Sequence, residues 1–316
     1  MVIFMKNLMK ILFTAFLAVS LLFAIGCGDE DASGTETKDT TVADTTAADT
    51  TAADTTAEDT TAADTEAMKP DPVETEFKLV VARNMPQYTF SASNGVELPY
   101  CLYVPDSYSD EYAYPLFMFL HGAGERSYNN GDQMKVATQN FFFPKGTPIY
   151  NSIAVFPLCV PDEGWSDNNW DLGSYSIDEC PISDQMVAII ELLDYLIENY
   201  SINTNRQYVT GLSMGGYGTW DIIMRYPDRF AAAAPLCGGG DPSKAELLKD
   251  LPIWVFHDLD DDAVPVSGSQ DMVNAIKAVG GENLRYTETQ GLGHFIWDNA
   301  YQDPEFLEWM FSQVKK

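Results

Sequence analysis

The chain has 316 residues and is strongly acidic: 47 Asp and Glu stand against 18 Lys and Arg, a formal net charge of −29 at pH 7. That balance argues against nucleic acid as a partner, because phosphate recognition needs clustered lysine and arginine, and it removes electrostatic attraction to an anionic membrane surface. With three histidines and no Cys-x-x-Cys pair among five cysteines, a zinc site of the usual spacing is not expected, and no metal is assigned.

In chain order, residues 1–27 come first, with two lysines, no acid and the 15-residue apolar run Ile11–Ile25. This is the layout of a secretory signal peptide, and the run is short against the roughly 20 residues of a spanning helix. The stretch AIGC, ending at Cys27, resembles the lipobox of bacterial lipoproteins, with Ala24 where that family usually has Leu. The resemblance implies that Cys27 becomes the first mature residue and carries lipid, so that the membrane is met only through a lipid anchor. Residues 28–76 follow with almost no apolar mass. From Asp39 they read DTTVA, DTTAA, DTTAA, DTTAE, DTTAA, DTEA, a period of five. No core is available to offset backbone entropy, so this segment is expected to be a disordered acidic tether, extended by like-charge repulsion.

Residues 77–316 are the expected folded part, with 32 acidic and 14 basic residues. Their length suits one large α/β domain. Strands are expected at 77–82, 98–104, 115–120, 152–156, 206–210, 230–235, 252–257 and 284–289. Helices are expected at 182–200 with Ser183 as cap, at 214–226, at 267–279, and from Pro304 with Asp303 as cap. Alternation of strands and helices implies a mainly parallel sheet covered on both faces. Reactive groups then belong on loops at the carboxyl ends of strands. Cys101, Cys159, Cys180 and Cys237 allow three disulfide connectivities, and the sequence does not choose among them.

The strongest chemical signal is RQYVTGLSMGGYGTW (206–220). A strand runs into Gly211-Leu212-Ser213-Met214-Gly215, and a helical pattern follows at once. This is the context of a nucleophile elbow, in which the turn is too tight for side chains at 211 and 215 and the serine is lifted above the sheet edge. Ser213 is therefore the expected nucleophile. It requires a base, normally a histidine held by a carboxylate. On this scaffold the order is Ser, acid, His, so His121 lies too early. His257 ends the run PIWVFH and is expected to pack or bond locally. His294, in the glycine-rich loop QGLGHFIW after the last strand, is the expected base. The acid must lie between them, and HDLDDDAVP (257–265) offers Asp258, Asp260, Asp261 and Asp262. The expected oxyanion donors are the N–H of Met214, directly after the nucleophile, and that of Ala123 in the loop HGAGER (121–126).

The acid segment resembles that of α/β-hydrolase esterases, His-Gly-x-x-Asp-x-x-Val-Pro. The resemblance implies Asp261, with Asp262 as the alternative, and it breaks at Asp258, which stands where the family has Gly. The other aspartates are expected to be solvated loop charges or a weak cation site. Together HGAGER, GLSMGGYGTW, HDLDDDAVP and GLGHFIW resemble the predicted-peptidase and esterase branch of the α/β hydrolases, related to polyhydroxybutyrate depolymerases and feruloyl or acetylxylan esterases. That resemblance spans roughly residues 90–315. It implies an α/β-hydrolase fold and hydrolysis of acyl esters without a cofactor, on a small molecule or a plant polysaccharide. A peptidase of the same mechanism and a non-catalytic surface binding protein are the alternatives. The stretch Pro157–Pro181 carries Trp165, Trp170 and Tyr175; its length suits either a pocket wall, with a tryptophan stacking on a sugar or aromatic acyl group, or a cover for the sheet edge. DNNWDLG (167–173) lacks the glycine and glutamate of a calcium loop.

Overall fold

Strands and helices alternate through most of the chain, because apolar runs of period two and of period 3.6 follow one another. The computed structural model describes residues 85–140 and 147–315, all within the unit Met68–Lys316. The signal segment with Cys27, the acidic tether and the strand expected at 77–82 lie outside the described residues. The strands are β1 (Gln87–Ser91), β2 (Glu97–Tyr103), β3 (Tyr114–Leu120), β4 (Ile153–Pro157), β5 (Ile202–Leu212), β6 (Ala232–Leu236), β7 (Ile253–Asp258) and β8 (Leu284–Thr289). The helices are α1 (Met134–Asn140), α2 (Asp184–Asn199), α3 (Met214–Arg225), α4 (Ala245–Leu248), α5 (Ser267–Ala278), α6 (Trp297–Gln302) and α7 (Pro304–Ser312).

The strands form one sheet in the order β1-β2-β4-β3-β5-β6-β7-β8. β1, β2 and β4 pair antiparallel, and every pairing from β4/β3 to β7/β8 is parallel. The mainly parallel α/β sheet read from the sequence is therefore present. The carboxyl ends of β3, β5, β6, β7 and β8 share one edge, and the loops that leave them are neighbours there.

Strand side chains alternate between two cores. Leu116, Met118 and Leu120 of β3 face one core together with Val209, Ile253 and Val255, under α2, α3 and α5. Phe117 and Phe119 face the other with Tyr208, Trp254 and Phe256, under α1, α6 and α7. Both faces are covered, so the central strands are continuous apolar runs. β1 was not expected, because its QYTFS is almost wholly exposed at the sheet's edge and carries no buried-strand signature. Two expected caps form: Ser183 Oγ accepts from Met186 N–H at 3.1 Å, and the Asp303 carboxylate accepts from Glu305 N–H at 2.9 Å, with Pro304 opening α7. Among the described residues no helix is long and apolar enough to cross a membrane.

The long connection between β4 and α2 is tied to α3 by a buried polar clasp. Asp221, its side chain 1% exposed, accepts from Arg225 Nε at 2.8 Å and from Tyr175 O–H at 2.8 Å. Arg225 Nη2 also donates to the Cys180 carbonyl at 2.7 Å. Asp221→Ala removes the carboxylate from Arg225 and Tyr175 and leaves Arg225 only the Cys180 carbonyl. We expect a loss of about 3 kcal/mol, the lower end of the range for a broken buried pair because Arg225 keeps some water contact. Urea unfolding measures it, and a loss below about 1 kcal/mol would mean that the clasp is solvated.

Candidate active site

Ser213 sits between β5 and α3 with φ 55° and ψ −117°, a left-handed conformation costing roughly 1–3 kcal/mol for a residue with a side chain. What holds it there is close packing. A Cβ on Gly215 would lie 1.9 Å from the Leu120 carbonyl oxygen, and one on Gly211 would lie 2.4 Å from the Gly215 carbonyl oxygen. Only glycine lets α3 start so near β3 and β5. The turn is fastened by Ser213 N–H to Leu236 O at 3.0 Å and Tyr217 N–H to Ser213 O at 3.0 Å. The serine oxygen is thereby turned away from the sheet.

His294 Nε2 is 3.0 Å from Ser213 Oγ. Its Nδ1 is 2.8 and 3.0 Å from the two Asp261 carboxylate oxygens. A nitrogen facing a carboxylate carries the proton, so Nε2 is left to accept from Ser213 O–H. The structure thus brings together Ser213, His294 and Asp261; Asp262 is exposed. The Asp261 side chain is fully buried. It also accepts from Ala263 N–H at 2.9 Å and Val264 N–H at 2.8 Å. Burial pushes this carboxyl up, but hydrogen bonds from His257, His294 and Val264 outweigh it and hold the group well below the usual carboxylate range.

His257 packs and bonds locally, as expected, and one of its partners is Asp261. Its Nε2 lies 3.2 Å from Asp261 Oδ2 and 3.1 Å from Val264 O, and its Nδ1 lies 2.8 Å from Ser269 Oγ. Two acceptors face Nε2, so that nitrogen donates, and Asp261 lies between two imidazoles. The signal for that contact was a polar residue at the carboxyl end of a buried strand. A correction concerns Asp258, which is fully buried rather than solvated; Asp260 is exposed as expected, and its Oδ2 accepts from Gly291 N–H at 3.0 Å.

Ala123 opens a short 3₁₀ turn and Met214 opens α3. As first residues of their turns, both have N–H groups without an internal acceptor. His121 sits under the Ala123 turn, fully buried. Its Nδ1 lies 2.7 Å from Gly122 O and its Nε2 accepts from Cys159 N–H at 2.9 Å. Burial lowers its pKa to about 4, so this ring is a neutral strut for the loop.

The two tryptophans divide. Trp165 is fully buried; its indole N–H donates to His121 O at 3.0 Å, and its Cβ is where a side chain on Gly218 would fall. No face of Trp165 is open to a substrate ring, which corrects the stacking role expected for it. Trp170 is partly exposed, its carbonyl accepts from Tyr217 O–H at 3.0 Å, and the Arg126 guanidinium lies 5.8 Å from its ring centre. Arg126 also donates to Ala123 O and Glu163 O at 3.1 and 3.0 Å, joining the Ala123 turn to the Trp170 loop.

Cys101, Cys159, Cys180 and Cys237 are all buried and unpaired. The Cys237 sulfur accepts from Ser213 N–H at 3.3 Å. Cys237, Asp261 and His294 offer ligand atoms within 4.8 Å of one another. Burial keeps the Cys237 thiol protonated, and the other two are engaged with each other.

The Esterase family model matches residues 91–307. Among solved structures, a thermostable esterase aligns with a TM-score of 0.67 at 38% sequence identity, over 74% of this chain and 64% of that one. Feruloyl esterase B of Thermothelomyces thermophilus is 24% identical over 158 residues, 50% of this chain and 50% of its own. Poly(3-hydroxyalkanoate) depolymerase C of Paucimonas lemoignei is 44% identical over 55 residues, 17% of this chain and 13% of its own. The chain thus spans half or less of the length of these two curated relatives.

The His121 ring gives a pH test. Its pKa is depressed in the folded chain, from 6.5 to about 4. The stability from keeping it neutral is present above pH 6.5 and is lost as pH falls toward 4, because the unfolded chain takes up the proton first. Urea unfolding across that window should give a steeper pH slope for the wild type than for His121→Gln. Equal slopes would remove this linkage.

Proposed function

Because the chain belongs to the Esterase family, we propose that it hydrolyses carboxylic esters through an acyl-enzyme on Ser213. The observation that carries the reading is the continuous contact from Ser213 Oγ through His294 to Asp261, at hydrogen-bond distances in the resting chain. His294 Nε2 takes the hydroxyl proton as Ser213 Oγ attacks the ester carbon. Negative charge develops on the former carbonyl oxygen, within reach of the Ala123 and Met214 N–H groups. Collapse breaks the C–O bond, and the leaving alcohol receives the proton from His294. Water then gives a proton to the same nitrogen as it attacks the acyl carbon, and the acid leaves as Ser213 regains its hydrogen. Asp261 keeps its charge throughout and stabilises the imidazolium.

Trp170, with Arg126 beside it, forms the wall on which a sugar or aromatic acyl group rests. Acyl groups on plant polysaccharide are the substrate class favoured by the likeness to a feruloyl esterase. The apolar run, the lipobox-like AIGC and the acidic repeat support export, with Cys27 lipidated at the cell envelope and residues 28–76 as the tether. No cofactor enters the reaction.

Three substitutions test this reading together. Ser213→Ala should abolish turnover of p-nitrophenyl esters, and a fluorophosphonate should label the wild type once and the variant not at all. Asp261→Asn should lower kcat by about 10⁴-fold, as loss of the orienting carboxylate does in related triads, while Asp262→Asn leaves it within a few-fold. Methyl ferulate, acetylated xylan and peptide amides complete the panel. Turnover of amides but of no ester would replace the esterase reading with a peptidase. Wild-type protein that neither labels nor turns over any of them would leave a surface binding protein.

A further inference from the structure

His294 rides on Gln290–Gly293, a segment with little packing of its own. Gly291 and Gly293 adopt φ of 91° and 62°, nothing lies within 4 Å of where a Gly291 side chain would begin, and Leu292 is 38% exposed. The carboxyl side of His294 is anchored by the buried Ile296 and Trp297, but on its amino side apolar burial does not fix it; hydrogen bonds must.

Those bonds converge on Asp258, the last residue of β7 and the point where this chain departs from the glycine of the resembling esterases. Its Oδ1 accepts from Asp260 N–H at 2.9 Å and Gly293 N–H at 3.0 Å. Its Oδ2 accepts from Thr289 O–H at 2.6 Å and Leu292 N–H at 3.1 Å. One buried carboxylate thus takes four donors, one from the turn leading to Asp261 and three from the segment leading to His294. Among the described residues it has no lysine, arginine or histidine partner, so these donors alone compensate its charge. Burial works against the ionised form, and the donors outweigh burial, which leaves the carboxyl below its ordinary range.

We propose that Asp258 is a positioning residue that sets the register of His294 against Asp261 and Ser213. It touches no reacting atom and acts through the peptide groups on either side. The inference rests on the esterase reading above. A carboxylate is required because all four contacts are donors. An amide would present its own N–H₂ to at least one of them, and a buried donor facing a donor forces the loop to shift. A shift of about 1 Å in a catalytic group is enough to cost on the order of 100-fold in rate.

The experiment uses the full chain and its Asp258→Asn variant, with p-nitrophenyl acetate turnover and fluorophosphonate labelling. The expected result is KM within about twofold of wild type and kcat lowered by about 30- to 100-fold. Labelling should reach the same one equivalent per chain, with its rate constant lowered in proportion to kcat. Wild-type kcat and labelling rate in the variant would overturn the inference. So would an unchanged rate constant with fewer equivalents labelled, since that marks only a smaller folded fraction. If Asp258→Asn does not fold, the Thr289 pair decides. Thr289→Val, which removes one donor, should slow labelling several-fold, and Thr289→Ser, which restores the hydroxyl, should recover it; equal rates in both would overturn the inference. A wild type that neither labels nor turns over ester would instead overturn the esterase reading itself.

Discussion

The start of α3 lies against the last carbonyl of β3, and the site depends on that approach. Gly215 has no room for a methyl group beside Leu120 O. With the helix backbone pressed there, the residue before it must turn sharply, and Ser213 takes its left-handed conformation as a consequence. Its strain is sustained by the packed cores on both faces of the sheet. The same approach brings the first N–H groups of α3 to the sheet edge, beside the loop that follows β3. The left-handed Ser213 and the free N–H at the start of α3 therefore share one cause, which is backbone proximity without side chains.

The rest of the site is held from strand ends. His121 follows β3 and props the Ala123 turn. His257 and Asp258 close β7, one bonding to Asp261 and the other to the loop that carries His294. Each is buried, and each bonds to loop backbone or to the Asp261 side chain. Parallel strands end at one edge, so polar residues at their last positions are within reach of several loops at once. The loops carry Asp261 and His294, and hydrogen bonds to the strand ends tie these loops to the sheet.

Much of this was legible beforehand. GLSMG identified the elbow because glycine spacing reports a steric requirement directly. His294 followed from its place after β8, and the three core strands β3, β5 and β7 from their apolar runs. Other features left no such trace. β1 is exposed but for the partly buried Phe90, and pairing with β2 makes it a strand. α6 is six residues long, too short for a period to be read, and is held by Trp297, Ala300 and Tyr301 in the core. Trp165 and Trp170 were equivalent in sequence; only tertiary packing put the first against His121 and left the second at the surface. Asp258 was hidden by its own neighbours, because in a run of acids composition suggests solvent, and burial is decided by where the strand ends.

The four cysteines of the described domain carry a different consequence. All are buried and none is bonded to another, so the native topology contains no covalent closure among them. Three pairings were conceivable from sequence, and each would have required an oxidant and a choice. Burial instead raises the Cys101 and Cys159 thiols to about 12, so few are thiolates at neutral pH and both sulfurs are poor attackers in disulfide exchange.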